Sequence, residues 1–200
     1  MSQEHYFSAD PGAPAEYRDI SFEVGGQLLH VQSASGTFSA SRLDPGTSVL
    51  LKHSHEFPTA GNVLDLGCGW GPISLSIAKL NPETTLWALD VNQRSLSLVE
   101  SNAKKLGLGN VRPVLAEEIP DSISFSAIWS NPPIRVGKKV LHQLLQTWLP
   151  RLSPGGVAML VVQKQLGADS LLGWIQSEFP ELQAQRHSTD KGFRILKVTK

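Results

Sequence analysis

Asn62-Val63-Leu64-Asp65-Leu66-Gly67-Cys68-Gly69-Trp70-Gly71-Pro72 decides the fold. An apolar run ends at Asp65 and Leu66, three glycines follow at alternate positions, and Pro72 opens a helical pattern. The stretch reads as a buried strand, a tight turn and a helix start. Glycine tolerates positive φ and lets a ligand approach the backbone. Proline suits the first helical position, where its missing N–H costs nothing. The dinucleotide fingerprint G-x-G-x-x-G opens a helix that receives a pyrophosphate. Here the third glycine comes one residue early, and Pro72 removes an N–H from the helix end.

Asp65-x-Gly67-x-Gly69-x-Gly71 instead resembles the cofactor loop of class I S-adenosylmethionine methyltransferases. That ligand has no phosphate, so the loop need only pass close beneath it. The competing reading is an ordinary strand–helix turn in another α/β enzyme.

The pattern repeats downstream. After Val63–Leu66 and a helix over Pro72–Leu80, strands are expected at Thr84–Leu89, Val111–Leu115, Phe125–Trp129 and Val157–Val162. Helices are expected from Asn92 through Leu106, from about Gly137 to Trp148, and over roughly Asp169–Phe179. Leu182–Gln185 and Phe193–Val198 flank a turn at Asp190-Lys191-Gly192 and lie too close for a crossover helix, so they pair antiparallel. Alternating strands and helices imply a parallel sheet with helices on both faces. Upstream, Ile20–Val24 and Gln27–Gln32 around Gly25-Gly26 signal a β-hairpin. Asp44-Pro45-Gly46-Thr47 reads as an N-cap with proline at the first helical position. Residues 1–17 read as a polar arm pinned by Tyr6 and Phe7. The expected division is an arm, hairpin and lead-in helix over 1–57 and the α/β domain over 58–200, forming one compact unit.

Two hundred residues with 40% hydrophobic content are enough for one α/β core. The formal net charge is zero, which excludes a globally basic nucleic-acid binder and restricts any RNA contact to a local patch. Cys68 is the single cysteine, so no internal disulfide forms and a cytoplasmic setting is expected. No basic-then-apolar leader pattern and no membrane-length apolar run are present in the 200 residues.

Ligands of open α/β sheets bind beyond the carboxyl ends of the strands. Asp65, Asp90, Glu117 and Asn131 stand after four of the apolar runs. An acid at Asp90 can accept both hydroxyls of a ribose, or cap the next helix beside Asn92. Glu117 stands where an adenine amino group would lie, although the adjacent Glu118 leaves a surface charge as an equal reading.

Asn131-Pro132-Pro133-Ile134 carries the catalytic signal. An amine conjugated to a ring or carbonyl is a poor nucleophile because its lone pair is delocalised. Hydrogen bonds from its two N–H groups to the Asn131 side-chain oxygen and the Pro132 carbonyl favour the localised form. Methyl transfer then depends mainly on in-line positioning. Neither a metal nor a covalent nucleophile is needed. Ile134 cannot stack on a base as an aromatic residue would. Arg135, Lys138 and Lys139 follow at once, and two lysines in a first helical turn oppose the helix dipole. That placement suggests an anionic partner such as RNA phosphate, set against a solvated lysine face; Lys191 and Arg194 extend the same patch. Cys68 is read as a packing residue. His53, His55 and Glu56 lack further ligands for a metal site. Trp87, Trp129 and Trp148 are read as core.

Taken together, the chain resembles the small-domain methyltransferases related to the bacterial enzyme that methylates a guanine N2 of small-subunit ribosomal RNA. The resemblance rests on His5-Tyr6-Phe7-Ser8, Gly36-Thr37-Phe38-Ser39, Leu43-Asp44-Pro45-Gly46-Thr47, Asp65 to Gly71, Asp90-Val91-Asn92, Asn131 to Arg135, Gly137-Lys138 and Lys191 to Arg194. It implies a Rossmann-like class I fold, with a mostly parallel seven-stranded sheet, a C-terminal antiparallel hairpin and an N-terminal β-hairpin extension. It implies S-adenosylmethionine as donor, held by Asp65, Gly67, Cys68, Gly69, Gly71, Asp90, Val91 and the Glu117 region, with Phe38 and Thr47 lining the pocket. Asn131, Pro132, Pro133 and Ile134 become the acceptor site, and Arg135, Lys138, Lys191 and Arg194 the contacts to RNA. The expected partner is ribosomal RNA or the small ribosomal subunit, with no membrane or metal, and with the protein a monomer or homodimer. Longer family members carry two copies of this domain, whereas this sequence has length for one. Some relatives have Phe-His after the prolines where this chain has Ile134-Arg135. The competing acceptors are a protein glutamine amide and a small molecule. A non-catalytic RNA-binding factor is the reading from a different class.

Overall fold

A computed structural model describes residues 14–200; the Tyr6 and Phe7 anchors expected for the arm lie outside the described residues. Nine strands and five helices are described. The strands are β1 (Tyr17–Val24), β2 (Gln27–Ala34), β3 (Gly61–Leu66), β4 (Thr84–Leu89), β5 (Val111–Val114), β6 (Phe125–Ser130), β7 (Leu152–Gln163), β8 (Gln183–Asp190) and β9 (Phe193–Thr199). The helices are α1 (Pro45–Leu51), α2 (Pro72–Leu80), α3 (Gln93–Leu106), α4 (Lys138–Trp148) and α5 (Ala168–Glu178).

The main sheet has seven strands in the order β5-β4-β3-β6-β7-β9-β8. β5, β4, β3, β6 and β7 run parallel, while β9 pairs antiparallel with both β7 and β8. β1 and β2 form a separate antiparallel hairpin. Gly25 and Gly26 turn it at φ +54 and +75, the two positive values its two-residue turn needs.

Local chemistry explains the boundaries. Asp44 caps α1 by accepting from Thr47 N–H, and Pro45 stands at the first helical position. Asn92 caps α3 through two backbone N–H groups, and left-handed Gly107 ends it. The apolar residues of the strands alternate between two layers. Val63, Trp129, Met159 and Ile195 face one cluster with α1, α2 and the hairpin; Leu64, Ile128, Leu160 and Leu196 face another with α4 and α5. Each fully buried Leu or Ile contributes about 1.5–3 kcal/mol. Trp87, Trp129 and Trp148 are buried as expected.

Two strands, β7 and β8, differ most from the expected spans. β7 starts at Leu152 and carries Pro154-Gly155-Gly156 inside it. Its pairing with β6 shifts register between Phe125 and Ala127, and a Cβ on Gly156 would sit 2.9 Å from the Phe125 carbonyl oxygen. The glycine therefore marks a bulge where backbones approach, not the end of a loop. β8 runs on to Asp190 because it is a polar edge strand, with no apolar alternation to reveal it.

The hairpin is tied to the sheet domain by Asn102 of α3. Its Oδ1 accepts from Gln32 N–H at 2.8 Å, and its Nδ2 donates to the carbonyls of Gln32 and Trp70 at 2.8 and 3.3 Å. No helix among the described residues is long and apolar enough to cross a membrane.

Candidate active site

The glycine loop leaves β3 at its carboxyl end. The N–H groups of Gly67 and Cys68 both donate to the Leu89 carbonyl at 2.9 Å, clamping the loop to the end of β4. Gly67, Gly69 and Gly71 all have positive φ. At Gly71 a Cβ would stand 2.9 Å from Val99 Cγ2, so this glycine also permits close packing on α3. At Gly67 a Cβ would meet nothing within 4 Å, and the residue lines an open cleft. Phe38, Ser39, Asp44, Thr47 and Asn131 line the same cleft. It thus brings together residues spread across much of the chain, in the position expected beyond the strand ends.

Asp65 is fully buried. Its Oδ2 accepts from Ser74 N–H and Oγ–H, but its Oδ1 has no partner among the described residues. Burial pushes this carboxyl up to about 7, against the Ser74 hydrogen bonds, and Asp90 adds to the rise. Asp90 Oδ2 accepts from Gly69 N–H at 2.8 Å and Oδ1 from Asn92 N–H at 2.9 Å. Burial also raises its pKa, with those bonds acting in the opposite direction. Asp90 thus braces the loop and the start of α3. Cys68 is buried with its thiol pushed up by burial and by the two nearby aspartates, which fits packing and not nucleophilic attack.

After β5, Glu117 and Glu118 lie in the short 3₁₀ turn Ala116–Glu118. Glu118 folds back to accept from Leu115 N–H at 2.6 Å, while Glu117 is exposed. Val91 is also exposed, at 53%.

Asn131 follows β6. Its Nδ2 donates to Asp44 Oδ1 at 2.7 Å and to Thr47 Oγ1 at 3.0 Å. Both N–H donors are thereby used, which leaves Oδ1 as the side chain's free acceptor. Pro132 is buried, and its carbonyl accepts from Ile134 N–H at 2.8 Å. With Pro133 at φ −75 and ψ 73, this is an inverse γ-turn. The Pro132 carbonyl is thus oriented by the turn and retains one lone pair. Sequence reasoning read Asp44 only as a helix cap and did not find Ser74. The Leu43–Thr47 motif was the available signal for Asp44, since a cap alone does not need the residues around it.

Arg135, Lys138, Lys139 and Lys191 are exposed. The Lys191 turn lies at this end of the sheet, where the Gly192 carbonyl accepts from Lys164 N–H and Phe193 packs against Gly46. Arg194 departs from the expected patch. It is 7% exposed and paired with Asp169 at the start of α5, because its place in β9 points it into the layer beneath that helix. A buried, paired guanidinium is not available to phosphate.

The histidines near α1 gather elsewhere, over the β8–β9 edge of the sheet. Glu56 Oε1 lies 2.7 Å from His187 Nε2 and 3.1 Å from His53 Nδ1, and Oε2 lies 3.2 Å from Lys197 Nζ. Partial burial opposes ionisation, but the His187, Lys197 and His53 hydrogen bonds outweigh it and hold Glu56 at about 2. Ligand-type atoms of His53, His55 and Glu56 come within 4.8 Å of one another. A cavity of about 190 Å³ over Trp129 and Met159 adjoins the group.

A doubly covered sheet of this order, a three-glycine loop at its centre and an Asn-Pro-Pro at the neighbouring strand end define a class I methyltransferase. The model of the methyltransferase small domain family matches residues 28–197. A Bacillus subtilis (strain 168) relative, described as uncharacterized protein YbxB, is 34% identical over 200 residues and 98% of each chain. The ribosomal RNA small subunit methyltransferase C of Acinetobacter baumannii (strain AYE) is 31% identical over 87% of this chain and 52% of its own. The solved T. thermophilus 16S rRNA N2 methyltransferase (RsmC), in complex with AdoMet and guanosine, superposes with a TM-score of 0.80 at 24% identity. That match covers 95% of this chain and 52% of the other. The chain spans about half the length of these ribosomal RNA methyltransferases. It belongs to the methyltransferase small domain family, and S-adenosylmethionine is the group that the solved T. thermophilus enzyme holds. The residues present suit that group. The buried Asp65 Oδ1 lacks a partner among the described residues, Gly67 opens on the cleft, and an ammonium, a ribose and an apolar ring face ask for the acid and apolar types found at Asp65, Asp90 and Val91.

Proposed function

We propose that this protein methylates an exocyclic amine of RNA, with guanine N2 of 16S ribosomal RNA as the acceptor. The observation that carries the reading is the fixed Asn131 amide, whose oxygen alone remains to accept from an incoming amine beside the glycine-loop cleft. The relatives named for ribosomal RNA methylation support the RNA class and the N2 position, and the exposed Arg135, Lys138 and Lys191 supply a local cationic rim on a neutral chain.

S-adenosylmethionine, when bound, supplies a methyl group on a positively charged sulfur that keeps the carbon–sulfur bonding pair. Asp65 and the backbone of Gly67, Cys68, Gly69 and Gly71 would hold its amino-acid end, with Phe38 and Thr47 along the wall. Asp90 would accept from the ribose hydroxyls, and Val91 and Glu117 would flank the adenine. Asn131 Oδ1 and the Pro132 carbonyl accept the two N–H groups of the amine. They thereby turn its lone pair out of conjugation and toward the cleft. Asn131 Oδ1 and the Pro132 carbonyl would stabilise the positive charge gained by the amine nitrogen. The extra proton then leaves to water. Ile134 presses an apolar face against the base without stacking on it.

The test is transfer of labelled methyl groups to small ribosomal subunits and to protein-free RNA from cells lacking the enzyme, with products digested to nucleosides. N2-methylguanosine is expected. Asn131→Ala should lower turnover about 100-fold or more with cofactor affinity within twofold of wild type. Label in protein, or in neither RNA, overturns the acceptor; full turnover in Asn131→Ala overturns the mechanism.

A further inference from the structure

Asn131 can serve an amine only if its oxygen, and not its NH₂ group, faces the acceptor. The two orientations differ by a half-turn of a nearly symmetric group, so something outside Asn131 must select one. Asp44 Oδ1 stands 2.7 Å from Asn131 Nδ2. An ionised carboxylate accepts hydrogen bonds but donates none. A flipped amide would set oxygen against oxygen at that distance. Thr47 Oγ–H could adapt to either orientation; Asp44 could not.

The position of Asp44 is itself fixed. The same Oδ1 accepts from Thr47 N–H at 3.0 Å, and the Asp44 carbonyl accepts from Ser48 N–H at 2.8 Å. Pro45 restricts the following backbone, and the Phe193 ring closes against Gly46. There is also an electronic consequence. A hydrogen bond from an amide N–H to an anion polarises the amide and increases negative charge on its oxygen. In methyl transfer to a neutral amine, that oxygen meets a nitrogen that is becoming positive.

We infer that Asp44 is a positioning residue for methyl transfer: it selects the oxygen-out orientation of the Asn131 amide and strengthens that oxygen as an acceptor. The inference rests on the amine-methylation reading for its catalytic consequence, but the orientation itself is measurable without any acceptor.

Two variants separate the role from helix capping. Serine caps a helix about as well as aspartate but is too short to bridge to Asn131. Asparagine caps equally well and keeps the reach, and loses the charge. Asp44→Ser is expected to lower kcat about 100-fold, and Asp44→Asn about 10-fold. Melting temperature and S-adenosylmethionine Kd should stay near wild type in both. In the ¹⁵N-labelled protein, the Asn131 side-chain NH₂ protons should be protected from exchange, and Asp44→Ser should abolish the protection. If protection is unchanged in Asp44→Ser, the inference is overturned whatever the acceptor proves to be. It is equally overturned if kcat falls only in step with melting temperature and cofactor affinity, which marks a cap and nothing more. If wild type methylates no RNA amine while the exchange effect is present, the acceptor assignment fails and the orienting role of Asp44 stands.

Discussion

Two sheltered carboxylates, Asp65 on a central strand and Glu56 over the β8–β9 edge of the same sheet, have been driven in opposite directions. Asp65 lies near the carboxyl end of a central strand, where burial dominates and one oxygen has no partner among the described residues; its pKa rises to about 7. Glu56 sits over the β8–β9 edge among His187, Lys197 and His53, and is held at about 2. Burial disfavours the charge at both. What differs is how many donors the fold supplies. The edge group is saturated by its own side chains, as a structural ion network is. The carboxyl end is left short of partners, as a site awaiting a ligand must be.

The comparison can be broken at several points. Gly71→Ala should have the largest effect, because φ is +93 and the new Cβ would lie 2.9 Å from Val99. A stability loss of about 2–4 kcal/mol is expected, read as the urea midpoint, with cofactor binding lost alongside. Unchanged stability would show that the loop is not braced on α3.

Asp65→Asn tests the unsaturated end through pH. The Asp65 carboxyl rises from 3.8 to about 7 on folding. Between those values the folded chain keeps a proton that the unfolded chain has released. Its contribution to stability therefore falls as pH rises from about 4 to about 7 and is level above that, a swing of roughly 2–4 kcal/mol. Asp65→Asn should flatten this slope in urea titrations at a series of pH values. Wild-type affinity for S-adenosylmethionine should rise through the same window, since its ammonium favours the ionised carboxylate. Parallel stability curves for the two proteins would locate the slope elsewhere.

Glu56→Gln should have the smallest effect and none on methyl transfer. With its pKa depressed from 4.5 to about 2, Glu56 contributes fully above about pH 5 and loses that contribution as pH falls toward 2. A deficit of about 1–2 kcal/mol at pH 7 is expected, shrinking to nothing near pH 2. A constant deficit across that range would mean that packing, not charge, is responsible.

The same contrast explains what could be read from the chain alone. α2 and β4 fall on their expected bounds, because caps and short apolar runs are local signals. The glycine loop is likewise contiguous, and its chemistry is visible in eleven residues. The partners that define the sheltered charges are not. Asp44 and Asn131 are 87 residues apart, and Glu56 and His187 are 131 apart. Nothing in the periodicity around His187 announces an edge strand, so the ligand-poor reading of His53 and His55 missed its neighbour. Arg194 stands close to Lys191 in sequence, but Lys191 is exposed in the turn while Arg194 lies within β9, buried and paired with Asp169.

Asn102 has a bearing on how the chain may be cut. The family match begins at residue 28, one residue into β2, so a fragment trimmed there would retain β2 without β1. Its edge would stand open to other copies. The same side chain that grips Gln32 also grips the Trp70 carbonyl between Gly69 and Gly71. A fragment that lets the hairpin fray would loosen the glycine loop through that latch. The smallest portable version of this enzyme therefore starts upstream of Tyr17, even though the hairpin lies outside the main sheet.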